Sequence, residues 1–182
     1  MPLSIAEQAA PSATANYGKV FVDTSNRLAY LDEAGTASVL ARGIPVRKTA
    51  ETQVVNTSTT LVNDDALLYA IAANEIWAGY LTLFVSCNAS GGIKVAITVP
   101  TGATLRMGAE LYATTTVSNI DPTTVSATAI GATAAITKVN MQVLVANGAN
   151  AGNVQLQWAQ NASHASDTKI LVNSFLTAQR IA

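Results

Sequence analysis

From about residue 50 onward, apolar and polar residues alternate with a period of two. In residues 77–85 the odd positions carry Trp77, Gly79, Leu81, Leu83 and Val85. Tyr80 and Phe84 lie on the opposite face, so this run predicts a strand that is central or covered on both sides. Residues 93–99 (IKVAITV) alternate cleanly and stop at Pro100. Residues 105–111 place Arg106 and Glu110 together on an outer face, and residues 141–145 repeat the pattern. Residues 154–158 are the sharpest case: Val154, Leu156 and Trp158 point one way, Gln155 and Gln157 the other. Residues 169–176 read as a last run, apolar on both faces. Such runs predict strands half-buried against a second sheet. Residues 66–75 (ALLYAIAANE) favour helix by propensity, but Leu67, Tyr69 and Ile71 alternate and Asn74-Glu75 makes a turn, so a strand is predicted.

Turn chemistry separates these runs. Residues 87–92, 100–102, 119–122 and 147–153 are rich in Asn, Gly, Pro and Asp and read as loops. Their spacing predicts an all-β, jelly-roll-like antiparallel β-sandwich over residues 50–182. Residues 114–137, a Thr/Ala/Ser mixture, read as a strand plus a long loop. Ahead of this domain, residues 17–49 hold three short β-rich runs at 19–22, 27–31 and 36–40, with turn clusters at 23–26 and 32–35. They predict a small β-meander, too small to be stable alone, followed by a connector marked by Gly43, Pro45, Arg47 and Lys48. Residues 1–16 are small, polar and Pro-punctuated and read as an N-terminal arm.

Composition narrows the function. The chain of 182 residues is 49% apolar but only 12% charged, about half the usual charged share. Ten basic residues oppose eleven acidic ones, which excludes binding to nucleic acid by bulk charge and argues against disorder. No window approaches the run of apolar residues that a membrane-spanning helix needs, and residues 1–10 lack the basic start and apolar centre of a signal peptide. A surface of Thr, Ser, Asn and Ala suits a protein whose exterior is covered by neighbouring subunits, because interface centres are depleted of charge.

Chemistry is sparse. One Cys excludes a disulfide framework within the chain, and one His excludes a His-pair site. His164, between Ser163, Ser166 and Asp167, has the residue types of a catalytic triad. Adjacent residues cannot normally place the base between nucleophile and orienting acid, so a solvated loop His is the plainer reading. Cys87 reads as a small buried hydrophobe, with no cation beside it to activate the thiol. Asp64-Asp65, after Asn63, is the best carboxylate pair, but it lacks a calcium-loop spacing and reads as a solvated turn. Gly91-Gly92 precedes a strand and is no phosphate loop. Asn88 and Asn161 match the glycosylation acceptor pattern, a chance match without a secretory signal. Arg42, Arg47 and Lys48 are read as keeping the connector solvated, or, less simply, as meeting an acidic neighbour. Trp77 and Trp158 are expected core anchors, each worth a gross burial of ~4–6 kcal/mol. No catalytic, metal or cofactor site is expected.

The segment from Tyr17 through Asp23 (YGKVFVD), continuing through residues 26–36 (NRLAYLDEAGT), resembles a short meander near the start of many tailed-bacteriophage virion proteins. Residues 63–77 and 152–161 resemble the β-sandwich body of the same class. The resemblance implies a capsid decoration (cement) protein, a head fibre or a tail-fibre module, commonly a homotrimer on the outer surface of the virion and made in the host cytoplasm. It carries no catalytic residues.

Three functions are therefore weighed. The first is a decoration protein that binds the major capsid protein and reinforces the shell, with residues 1–43 facing the capsid. The second is a head- or tail-fibre module that contacts a host surface receptor; it would want aromatics exposed on loops, whereas here they fall inside strand patterns. The third is an enzyme such as a polysaccharide hydrolase, which needs two carboxylates ~5–10 Å apart in a cleft. With few acids on loop segments, it is set aside.

Overall fold

The computed structural model describes residues 12, 18–22, 28–32, 34–35, 37–39, 43–113, 117–120 and 130–182. The chain divides into two units, Met1–Arg42 and Gly43–Ala182. Apart from Ser12, the arm expected over residues 1–16 lies outside the described residues, as do the turn at 23–26 and most of the loop read within 114–137.

The first unit is a three-stranded antiparallel meander of β1 (Lys19–Val22), β2 (Leu28–Leu31) and β3 (Ala37–Val39), in that order. The strands fall where the β-rich runs predict them. Lys19 pairs with Leu31 and Ala29 with Val39, and alternate side chains Phe21, Ala29 and Leu31 are buried together. In the second turn, the Gly35 amide donates to Asp32 O. Gly35 has φ +86°, a conformation that glycine adopts without steric cost.

The second unit contains β4 (Ile44–Arg47), β5 (Val62–Ile71), β6 (Ile76–Ser86), β7 (Ile93–Thr98), β8 (Thr104–Ala113), β9 (Val117–Ile120), β10 (Ile130–Ala132), β11 (Ile136–Ala146), β12 (Gly152–Ala159), β13 (Lys169–Ile170) and β14 (Phe175–Arg180). Eight of these pair as nested hairpins: β5 with β12, β6 with β11, β7 with β10, and β8 with β9, all antiparallel. Rolling that strip brings β7 against β12 and β8 against β11. The outcome is two sheets, β10-β7-β12-β5 and β6-β11-β8-β9, the strand orders of a jelly roll. The second sheet is widened by β14 and β4, with β13 pairing the far end of β6. The all-β, jelly-roll-like sandwich expected from the alternation is thus what the chain forms.

The core is the sum of the period-2 faces. Leu67, Tyr69, Val95, Leu156 and Trp158 come from one sheet, and Leu81, Leu83, Leu111, Val139 and Met141 from the other, in one buried cluster. At Gly92 (φ +60°), an added Cβ would lie 1.9 Å from the Ala132 carbonyl oxygen, so only glycine lets β10 approach the start of β7.

Three local readings change. Residues 44–47, read as connector, form β4 and pair antiparallel with β14, Arg47 opposite Phe175 and Ile44 opposite Ala178. Lys48, read as solvated, is fully buried. The single run expected at 169–176 is two strands, β13 and β14, separated by a turn at Asn173 (φ +69°). An Asn tolerates that left-handed backbone, and this break lets the chain change its place along β6.

Candidate functional site

Two features stand apart from ordinary sandwich packing: a buried ionic cluster where β5 bulges, and the outer face of the large sheet.

The bulge follows from register. Leu68 of β5 faces Gln155 of β12, but Asn63 faces Gln157, so residues 64–67 stand opposite Leu156 alone. The surplus backbone curls around the Asp64 carboxylate. Its Oδ1 accepts the Ala66 amide (3.0 Å) and the Leu67 amide (2.9 Å), and its Oδ2 accepts Trp158 Nε1 (3.2 Å). Gln155 Nε2 donates to Asp64 O (3.0 Å), and Gln157 Nε2 donates to Asn63 Oδ1 (2.7 Å). The two outward amides of β12 therefore clamp the bulge.

Lys48 enters from the β4 side. Its amide donates to Ser174 O (2.8 Å), and its carbonyl accepts from Asn173 N (2.9 Å), which fixes the backbone beside the turn before β14. Its Nζ donates to Asp64 Oδ1 (3.3 Å) and Oδ2 (3.1 Å), and to Asp65 Oδ1. The Lys48 and Asp64 side chains are 1% and 0% exposed; that of Asp65 is 38% exposed. Asp65 is also held by Thr52 Oγ1 on its Oδ2 and by Gln53 Oε1, which accepts its amide (2.8 Å). Partial burial would raise the Asp65 carboxyl, but the hydrogen bonds from Lys48 and Thr52 outweigh it and hold the group below its ordinary value. The carboxylate pair read as a solvated turn is therefore anchored by a buried lysine. The space between the carboxylates holds an ammonium, and among the described residues no group of three or more His, Cys, Asp or Glu side chains could hold a metal.

A second ion pair sits at the other end of β5. Glu75 Oε2 accepts the Ala72 amide (2.8 Å) and Trp77 Nε1 (2.9 Å), and its Oε1 accepts Arg180 Nη1 (2.9 Å). Trp77 also meets Tyr69 at 5.5 Å between ring centroids, tilted by 46°. Both tryptophans are core anchors, as their alternation predicts, and each also ties down a carboxylate.

The remaining candidates do not come together. His164 Nδ1 accepts the Ser166 amide (3.0 Å), and its carbonyl accepts the Thr57 amide (2.8 Å). Asp167 is engaged elsewhere, by Asn56 Nδ2 (3.0 Å) and Lys169 Nζ (3.4 Å). Those two partners hold its carboxyl below its ordinary value, Asn56 first. Cys87 is half-buried, donates weakly to Ala134 O and Ile136 O, and burial pushes its thiol up. Asn88 closes its own turn by accepting the Ser90 amide (2.8 Å), and Asn161 Nδ2 donates to Thr133 Oγ1 (2.9 Å). Arg47 donates to Asn173 Oδ1 (2.6 Å); Arg42 lies outside the described residues.

The outer face of the large sheet was missed by the alternation, because bulk on both sides of residues 77–85 reads as covered. β6 is central within its sheet, yet Tyr80 is 60% exposed, and Phe84 and Phe175 are exposed as well. In register, Tyr80 stands between Thr177 and Gln142, and Phe175 between Arg47 and Thr82. Lys138 lies opposite both Phe84 and Tyr112, with its Nζ 4.0 Å from the Tyr112 ring centroid. Tyr112 donates to Glu110 (2.6 Å), and that bond, more than burial, raises its hydroxyl. The face is an aromatic, hydroxyl and amide surface with few charges.

No family model matches the chain, and no curated protein sequence matches it. Among solved structures it shows a remote likeness to infectious bursal disease virus particles. The Gx strain structure aligns at a TM-score of 0.24 and 11% identity over 93% of this chain and 47% of that one. The VP2 subviral particle aligns at 0.21 and 10% identity over 84% and 42%, and the Gt strain at 0.21 and 13% identity over 84% and 38%. The chain spans less than half the length of each, and likeness at these TM-scores does not define a shared fold.

Proposed function

We propose that this chain is a structural virion protein of a tailed bacteriophage: a capsid decoration protein that binds the shell as a homotrimer and stabilises it. The observation that carries the reading is the exposed aromatic outer face around Tyr80, Phe84 and Phe175, where Arg47 and Lys138 are the neighbouring charges. Exposed aromatics among Thr, Gln and a few cations (Thr177, Gln142, Thr82, Arg47 and Lys138) have the aromatic enrichment of an interface, and an open sheet face suits subunit packing better than it suits a catalytic cleft. The jelly roll supports it more broadly, since that architecture serves viral capsid and lectin domains, among others. The resemblance of residues 17–36 to phage virion meanders supports the phage assignment and an attachment role for the first unit. Stabilisation would come from mass action, because a ligand that binds only the assembled shell shifts the equilibrium toward it.

The test is to incubate the purified protein with undecorated phage shells and measure co-sedimentation and shell melting. Binding with a raised shell melting temperature is expected, and scattering should report a trimer. No binding to shells ends the reading. The receptor-binding alternative is favoured by one observation: exposed Tyr80 and Phe84 beside amides could stack on and hydrogen-bond a host glycan. Adsorption of the isolated protein to host cells, without binding to shells, would select it. No enzymatic activity is proposed.

A further inference from the structure

We propose that Lys48 and Asp64 condense spontaneously to an amide, making the buried ion pair a site of intramolecular covalent cross-linking. The inference stands on the geometry of the bulge, independently of any virion role. The Lys48 Nζ lies 3.3 and 3.1 Å from the two oxygens bonded to Asp64 Cγ. That brings nitrogen and carbon close to the ~3–3.5 Å separation of near-attack conformers. Both side chains are sealed from solvent, so the water that would hydrolyse an amide is kept out.

The rest of the constellation supplies what acyl transfer requires. Two backbone amides, Ala66 and Leu67, converge on Asp64 Oδ1 at 3.0 and 2.9 Å. Paired N–H donors on one oxygen are the arrangement that stabilises the oxyanion of a tetrahedral adduct. Trp158 Nε1 donates to the other oxygen, Oδ2, at 3.2 Å. The Asp65 carboxylate contacts the same amine and reaches toward solvent, so it can take a proton from the ammonium and return it. In the step, the Nζ lone pair attacks Asp64 Cγ and the Cγ–Oδ2 bond breaks. Oδ2 leaves as water, carrying two of the three ammonium protons, the first relayed by Asp65. The third stays on the amide nitrogen. Ammonium plus carboxylate gives amide plus water, with no oxidant or co-reactant. Two charges are removed from a region where each is costly to bury.

The test is the intact mass of the full chain after denaturation. It should be lower than the sequence mass by one water. Trypsin does not cut after an acylated lysine, and the next basic residue after Lys48 is Lys94. The bridged protein should therefore yield one peptide covering residues 48–94, short of one water, whose fragmentation is blocked between 48 and 64. Lys48→Arg, which keeps the charge but presents no amine, should have its full sequence mass. Asp65→Asn should slow the bond, so that freshly folded protein shows both masses and drifts to the lighter one. A wild-type chain at full sequence mass with ordinary cleavage after Lys48 overturns the proposal, whatever the variants do.

Discussion

The two ends of β5 solve the same problem in different surroundings. At one end Asp64 accepts the Trp158 indole N–H and is met by Lys48; at the other Glu75 accepts the Trp77 indole N–H and is met by Arg180. In each, a carboxylate also accepts nearby backbone amides and so closes an irregular stretch of chain. The difference is water. Lys48 has almost no exposed surface, whereas the Arg180 side chain is 39% exposed above a Glu75 that is 8% exposed. A solvated cation can leave its partner cheaply. A buried one cannot, and its loss exposes the cost of every group it satisfied. The guanidinium is also a planar, permanently charged group, so only the Lys48 end has an amine that can become a nucleophile.

Breaking the Lys48 end should have the largest effect. Asp64→Ala leaves the Trp158, Ala66 and Leu67 donors unmatched and the buried Lys48 with the half-exposed Asp65 as its carboxylate, and should lower stability by ~3–5 kcal/mol, read from the denaturant midpoint. Trp158→Ala should cost a similar ~3–5 kcal/mol because the side chain is fully buried. At the other end, Arg180→Ala should cost no more than ~1 kcal/mol, since solvent already screens the pair. Equal losses for Asp64→Ala and Arg180→Ala would remove the distinction drawn from burial.

Smaller effects come from titration. The Tyr69 hydroxyl is buried with no partner among the described residues, and burial alone raises it from 10.0 to about 12. A raised value means that its contribution is intact below the unfolded value and is lost as pH climbs from 10.0 through about 12. Tyr69→Phe should therefore flatten the alkaline limb of the stability curve. It should be neutral to slightly stabilising at pH 7, because it deletes an unmatched polar group. Asp65 shifts the other way: its lowered carboxyl adds stability above the unfolded value, and this is lost as pH falls through the folded one. Asp65→Asn should blunt the acid limb only modestly, because the side chain is 38% exposed.

The jelly roll was legible because its strands carry period-2 faces between clear turns. Residues 93–98 and 154–158 need no tertiary information to be recognised, and even the Ala-rich stretch from Ala66 to Ile71 alternates enough to read as a strand, the second half of β5. The ionic site was not legible. Lys48 and Asp64 are sixteen positions apart, in segments that read as connector and turn, and charged residues in such segments are normally solvated. What brings them together is a bulge against β12 and the pairing of β4 with β14, both long-range events. The exposure of Tyr80 and Phe84 was hidden for a related reason. Alternation tells which residues share a face, but not whether a second layer covers it.

Local pattern thus determined where the chain is extended, where it turns, and which side chains form the inner faces, because side-chain direction in a strand depends only on backbone geometry. Tertiary structure alone decided which lysine is buried, which carboxylate receives it, and which aromatic face stays open. Those outcomes depend on what lies across the sheet or on top of it, and residues distant in sequence supply it.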